Sequence, residues 1–258
     1  MEPKFRKVIL KLSGEAIADS SSFSILSPTK LKDIVTLIKK LYDNGIKVGV
    51  VIGAGNIFRG RIAADAGIDH VSGDYMGMMG TVINLKAISS LLNEAKVPNV
   101  LYSALEVENI AIKYDPNKAK KDYEDKVVLL GGGIGLPFYT TDTCAAKRAI
   151  ELDAECILAG KYGVKGVYDK DPRTNGDAKF LEELTYQQVL DMDLKVMDTS
   201  AIELLLGKNI VTKVFSMENM DNFVYAIEDK KIGTTIKEKW NGYFTRCRSK
   251  NAKGCRKF

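Results

Sequence analysis

Short apolar runs alternate with longer amphipathic ones along most of this chain, and the alternation predicts strands followed by helices. Val8-Ile9-Leu10-Lys11-Leu12 is a run of strand length that ends at Ser13-Gly14. Ser27 and Pro28 then open a helix, with Ser as the cap and Pro in the first turn, where its missing N–H costs nothing. Leu31, Ile34, Val35, Leu37, Ile38 and Leu41 recur at helical spacing, and Asn44-Gly45 stops the helix. Lys47 to Ile52 is a second strand, ending in Gly53-Ala54-Gly55. The same reading places strands near 100–103, 127–130, 156–159 and 210–215. It places helices over 74–94 and near 144–152, 186–192, 199–206 and 220–228. Asp74 and Asp142 then read as helix caps, Asp198 as a cap or a metal-linked residue, and His70 as a surface residue. Strands alternating with helices predict an α/β fold with a mostly parallel sheet covered on both faces.

Such sheets bind ligands beyond the C-terminal ends of their strands. Four glycine-bearing stretches lie at those predicted ends: Ser13-Gly14, Gly53-Ala54-Gly55-Asn56, Gly131-Gly132-Gly133-Ile134-Gly135 and Gly160-Lys161-Tyr162-Gly163. None is the dinucleotide fingerprint, because Phe58 and Leu136 stand where its third glycine belongs. Gly55 to Gly60 approaches the P-loop spacing, but Arg61-Ile62 follows and no hydroxyl is placed for a metal. What remains is a phosphate site assembled from several loops, where backbone N–H groups approach phosphate oxygens and Lys11 and Arg59 add full charges. Phosphoryl transfer needs mainly positioning and charge stabilisation.

Charge refines the picture. The chain has 258 residues and a formal net charge of +5. Residues 237–258 carry eight basic side chains against the single acid Glu238, so the rest of the chain is slightly acidic. The body is read as one domain over 1–236, and 237–258 as a basic tail expected to be disordered. Cys144 and Cys156 read as buried thiols. With one histidine in the chain, neither a zinc-ligand set nor a catalytic triad is visible. No apolar run approaches the roughly 18 residues of a membrane helix, and the N-terminus shows no signal-peptide core, so a cytoplasmic protein is expected.

Six segments occur in one order: Lys11-Leu12-Ser13-Gly14-Glu15-Ala16, Gly53 to Gly60, Gly73-Asp74-Tyr75-Met76-Gly77-Met78, Gly135-Leu136-Pro137-Phe138-Tyr139-Thr140-Thr141-Asp142, Gly166-Val167-Tyr168-Asp169-Lys170-Asp171-Pro172 and Leu194-Lys195-Val196-Met197-Asp198. Together they resemble the bacterial UMP kinases of the amino acid kinase family, from about Lys7 to Ile236. The resemblance implies a three-layer α/β/α sandwich, a homohexamer, and the reaction ATP plus UMP gives ADP plus UDP with Mg²⁺ held through the phosphates. It implies a UMP-binding N-terminal part and an ATP-binding part from about residue 145. The implied catalytic residues are Lys11, Arg59, Asp142 and Lys161. Lys11, Leu12, Ser13, Gly14, Gly55, Arg59, Tyr162, Tyr168 and Asp171 would bind ATP. Ala54, Asp74, Ile134, Gly135, Leu136, Pro137, Phe138, Tyr139, Thr140 and Thr141 would bind UMP.

The chain departs from the family's pattern at several places. Ala54 replaces a usual glycine, and its methyl is expected to narrow the backbone approach to UMP. Tyr162 and Lys165 stand at positions of other usual residues. The segment Asp19 to Ser24 lacks the glycines tied to GTP activation, while UTP inhibition is carried over. Two other readings stand beside this one. One is a family member with a carboxylate or carbamate acceptor, which Phe138 to Asp142 argues against. The other is a nucleic-acid binder acting through the tail, although nucleic acid is not expected as a partner of the body.

Overall fold

The computed structural model describes residues 1–19, 24–60 and 65–238. The tail beyond Glu238, with Cys247 and Cys255, and most of the Asp19 to Ser24 segment therefore lie outside the described residues.

In chain order the elements are β1 (Lys7–Leu12), a 3₁₀ turn (Gly14–Ile17), α1 (Pro28–Asp43), β2 (Lys47–Ile52), α2 (His70–Glu94), β3 (Asn99–Ser103), β4 (Ile112–Lys113), α3 (Pro116–Asp122) and β5 (Val127–Gly131). Then follow α4 (Thr141–Glu151), β6 (Cys156–Lys161), β7 (Val167–Tyr168), β8 (Phe180–Leu181), β9 (Glu183–Thr185), α5 (Tyr186–Asp191), α6 (Thr199–Leu205), β10 (Val211–Ser216), α7 (Asp221–Ile227) and β11 (Thr234–Lys237). The main sheet runs β4-β3-β5-β2-β1-β6-β10-β11-β9, and β7 and β8 form a separate ribbon. Every pairing in the main sheet is parallel except β10 with β11. Lys237, placed in the tail on composition, is the last residue of β11 and pairs with Thr185.

The period of two sorts strand residues between two cores. Val8, Leu10 and Leu12 of β1 pack with the apolar stripes of α1, α2 and α7, while Ile9 faces the alanines of α4 together with α5 and α6. Helices thus cover both faces, which makes the predicted three-layer sandwich. Strands buried on both sides carry continuous apolar runs, and this made β1, β2, β5 and β6 visible from the sequence. Ser27 caps α1 with Pro28 in its first turn, and Asn44 ends it, as expected.

Two helix starts differ from expectation. The cap of α2 is Asp69, whose side chain accepts from the Ser72 N–H, so Asp74 lies inside the helix. The cap of α4 is Thr140, which accepts from the Asp142 N–H, so Asp142 is in the first turn rather than at the cap. In both cases the carboxylate is released from capping: Asp74 accepts from the Phe138 N–H, and Asp142 pairs with Lys11. Asp198 does cap, accepting at 2.7 Å from the Ala201 N–H at the start of α6.

Candidate active site

The four glycine loops follow β5, β2, β1 and β6, which are neighbours in the sheet. After β5 the chain crosses to the far side of β1 to form β6, so the boundary between β1 and β6 is the topological switch point, where such sheets hold ligands. Lys11 near the end of β1 and Lys161 at the end of β6 flank that boundary.

Lys11 points to the α4 side of the sheet, as Ile9 does. The small side chains Ala145, Ala146 and Ala149 let α4 lie close to the sheet and carry Asp142 to it. Lys11 Nζ is 2.6 Å from Asp142 Oδ1. Both are largely buried, and Asp142 Oδ1 accepts no well-formed hydrogen bond there. Removing either partner would strand a buried charge. Burial pulls the Lys161 ammonium below its usual value of 10.5; the Asp142 carboxylate opposes this shift and nearby Lys11 adds to it. Lys11 and Lys161 share a partly desolvated pocket with Asp142, and the Asp198 carboxylate also acts on Lys161.

The loops approach each other too closely for side chains at key positions. A β-carbon at Gly14 would lie 2.6 Å from the Gly53 carbonyl oxygen and 2.9 Å from the Gly55 nitrogen. Behind these loops, buried Asn84 on α2 donates to the Gly53 carbonyl at 2.9 Å and exchanges amide hydrogen bonds with Asn56. Sequence reasoning missed Asn84; the available signal was a lone amide on the apolar face of α2. Buried Arg148 was missed as well. It lies over the Tyr114 ring and donates to the Gly133 carbonyl at 3.1 Å, bracing the loop after β5.

That loop contains the expected UMP residues Ile134 to Thr141. It turns through left-handed backbone at Gly132, Gly133, Gly135 and Phe138. The Phe138 N–H donates to Asp74 Oδ2 at 2.6 Å, which joins two expected UMP residues from distant segments. Leu136, Phe138 and Tyr139 are exposed. Thr140 donates to Asp198, and Thr143 donates to the same carboxylate at 2.9 Å. Asp198 thus ties the start of α4 to α6, in addition to its cap.

Arg59 is turned away from this centre. It pairs with Glu15 and donates to the Gly55 carbonyl at 3.1 Å, with its side chain largely exposed. Glu15, Lys30, Gly55, Arg59 and Tyr162 line a cavity of about 480 Å³. A second cavity of about 450 Å³ shares Tyr162 and is lined by Lys161, Tyr168, Asp171, Leu194 and Val196. Tyr168 meets Phe180 edge-to-face, and Asp171 is bound by Arg173. Of the expected ATP residues, Gly55, Arg59 and Tyr162 line the first cavity and Tyr162, Tyr168 and Asp171 the second, while Lys11 to Gly14 line neither. Among the described residues no cluster of three or more His, Cys, Asp or Glu could hold a metal, and no helix is long and apolar enough to cross a membrane. Cys144 and Cys156 are buried, as expected.

A sheet of this order, with glycine loops and paired lysines at its switch point, defines a phosphoryl-transfer enzyme of the α/β class. Residues 6–216 match the amino acid kinase family, and the chain belongs to it. A uridylate kinase from Limosilactobacillus reuteri is 38% identical over 234 residues, covering 90% of this chain and 97% of that protein. The structure of a UMP kinase from Ureaplasma parvum superposes with a TM-score of 0.85 at 36% identity, covering 91% of this chain and 100% of the other. A UMP kinase from Bacillus anthracis gives 0.87 at 34% identity, covering 91% and 97%.

Proposed function

We infer that this chain is a UMP kinase, transferring the γ-phosphoryl group of ATP to UMP to give UDP. The observation that carries the reading is the Lys11–Asp142–Lys161 group at the switch point, opposite a loop tied to Asp74. UMP arrives with a phosphate whose second pKa is about 6, so at neutral pH it is largely dianionic and attacks without a general base. The chain's task is then to hold two polyanions in line and to neutralise the charge shared by the attacking, transferred and leaving oxygens. Lys11 and Lys161 provide that charge, and the N–H groups of Gly14 and Gly55 line the approach. Asp74 receives the ribose, and the 134–141 loop encloses base and phosphate. The cavity beside Tyr162, Tyr168 and Asp171 takes the adenosine end of ATP. This division makes the N-terminal part the acceptor side and the part from about 145 the ATP side.

Mg²⁺ fits this site. The largely buried Asp142 carboxylate, ion-paired with Lys11, would help to balance a cation there. Phosphate oxygens would be the main ligands, and the ion would supply further charge neutralisation. A hexamer goes with the same reading, and α2 supports an interface: Val71, Tyr75, Met76, Met79 and Ile83 form one exposed apolar face. Inhibition by UTP and a cytoplasmic location are the remaining parts of the proposal; free thiols at Cys144 and Cys156 suit the latter.

The deciding experiment is a coupled ADP-release assay with UMP, CMP, dUMP, aspartate and acetylglutamate. Turnover with UMP alone or best is expected. Preference for a carboxylate acceptor would overturn the substrate, and light scattering giving a monomer would overturn the hexamer.

A further inference from the structure

His70 is the chain's single histidine, and it sits in the first turn of α2. That turn is capped by Asp69, and the contacts of His70 are with Asp74, one turn on in the same helix, and with the loop after β5. The imidazole stacks on the Phe138 ring, with centroids 4.9 Å apart and the planes 17° from parallel. Its Nδ1 is 3.2 Å from Asp74 Oδ2. That same oxygen accepts the Phe138 N–H. The histidine therefore touches both ends of one of the links that join α2 to the loop after β5; Thr81, accepting from the Gly132 N–H at 2.9 Å, is another.

Phe138 needs such support. Its φ of 69° lies in the left-handed region that a bulky residue avoids. Its side chain is mostly in solvent, with 67% of the residue's surface exposed. One backbone hydrogen bond and one stacked ring are what the described structure provides to hold it.

We propose that His70 is a positioning residue for the UMP site: it fixes the Asp74 carboxylate and the Phe138 ring in the arrangement that receives the nucleoside. The proposal rests on the reading of Asp74 and the 134–141 loop as the UMP site. His70 does not touch the transferred phosphate, so its loss should weaken acceptor binding and leave the chemical step intact.

Steady-state kinetics on the full chain test this with His70→Ala, His70→Phe, His70→Gln and Asp74→Asn. From one aromatic contact and one close polar pair, His70→Ala is expected to raise the UMP KM by about 5- to 30-fold. The ATP KM and kcat should stay within about twofold of wild type. His70→Phe keeps the stack and His70→Gln keeps a donor, so each should recover part of the affinity. An unchanged UMP KM in His70→Ala, with a raised one in Asp74→Asn, would overturn the positioning role alone. Unchanged values in both would overturn the site assignment and this proposal with it. A parallel loss of kcat and ATP affinity in His70→Ala would show a general structural effect and also overturn it.

Discussion

The methyl group of Ala54 fills the space that a side chain at Gly80 would occupy: a β-carbon at position 80 would lie 2.7 Å from that of Ala54. The extra methyl in the Gly53 to Asn56 loop is therefore directed at α2, not at the acceptor. The methyl expected from the sequence to narrow the approach to UMP packs instead where α2 has no side chain. Glycine inside a helix costs about 1 kcal/mol relative to alanine, so this gap has a price in stability. Gly80→Ala should be destabilising, with overpacking of about 1–3 kcal/mol outweighing the gain in helix propensity. Adding Ala54→Gly should remove the clash and keep the propensity gain. A double-mutant cycle of thermal unfolding is expected to show coupling above about 1 kcal/mol between the two sites. Strict additivity would show that the pair is not coupled.

Lys11 and Asp142 should separate stability from catalysis. Lys11→Ala is expected to lower kcat by about 10²- to 10³-fold, the scale of one lost electrostatic donor in a desolvated site. It also leaves the Asp142 carboxylate buried without its cation, a situation that costs about 3–5 kcal/mol. The double variant Lys11→Ala with Asp142→Ala should recover much of that stability while remaining inactive. Melting temperature and kcat, measured on the same preparations, check both halves. A Lys11→Ala enzyme with normal kcat would remove the charge-stabilisation role.

Much of this centre was legible beforehand, for a physical reason. Phosphate loops require glycine at strand ends, and buried parallel strands require unbroken apolar runs, so both leave local marks such as Leu130 followed by Gly131-Gly132-Gly133. Contacts between distant segments leave none. Asn84 meets Asn56 across 28 residues and Asp198 meets Thr140 across 58, and each would pass locally as an ordinary helix residue or cap. The start of α2 was misplaced because Gly73 and Gly77 dilute its first turns. That hid Asp69 as the cap and left Asp74 looking like one. Arg59 was singled out in the sequence, but its pairing with Glu15 left no mark there.

The Glu15–Arg59 pair bears on how Arg59 could join the reaction. Both side chains are at least half exposed, and such pairs are worth about 0–1 kcal/mol. Arg59 can therefore leave Glu15 for a phosphate at little cost. Glu15→Gln should change the ATP KM by less than about fivefold. Arg59→Ala, if the guanidinium reaches the transferred phosphate, should lower kcat/KM by about 10²-fold. Initial-rate kinetics on both variants check the contrast, and equal effects would show that the pair itself is what matters.

Asn84 sets the shape of the loop after β2. Its amide satisfies the Gly53 carbonyl and pairs reciprocally with Asn56 inside a mostly apolar region. Asn84→Leu is close in size but removes this partner from the part-buried Gly53 carbonyl and Asn56 amide, at up to about 1–3 kcal/mol each. A drop in melting temperature of several degrees is expected, with a raised KM for both substrates if Gly53 to Gly55 lie between them as proposed. Thermal unfolding with and without saturating UMP checks this, and an unshifted transition would show that the loop holds its form without Asn84.

Lys161 should give the enzyme an alkaline limb. Burial lowers its pKa from 10.5, so the folded chain releases this proton at a lower pH than the unfolded chain does. Between the two values the unfolded state binds more protons, and the contribution of this group to stability rises with pH. Activity should run the other way: as pH climbs through the lowered value, the ammonium loses the charge that faces the phosphates, and kcat falls. Stability and turnover are thus expected to diverge over that window. Lys161→Arg carries a guanidinium that stays protonated throughout, so it should have lower activity near neutrality, from altered geometry, but no alkaline decline below about pH 10. Profiles of kcat from about pH 7 to 10 on both enzymes decide it. If the decline persists unchanged in Lys161→Arg, another group sets the limb, and Lys161 does not supply titrating charge to the transition state.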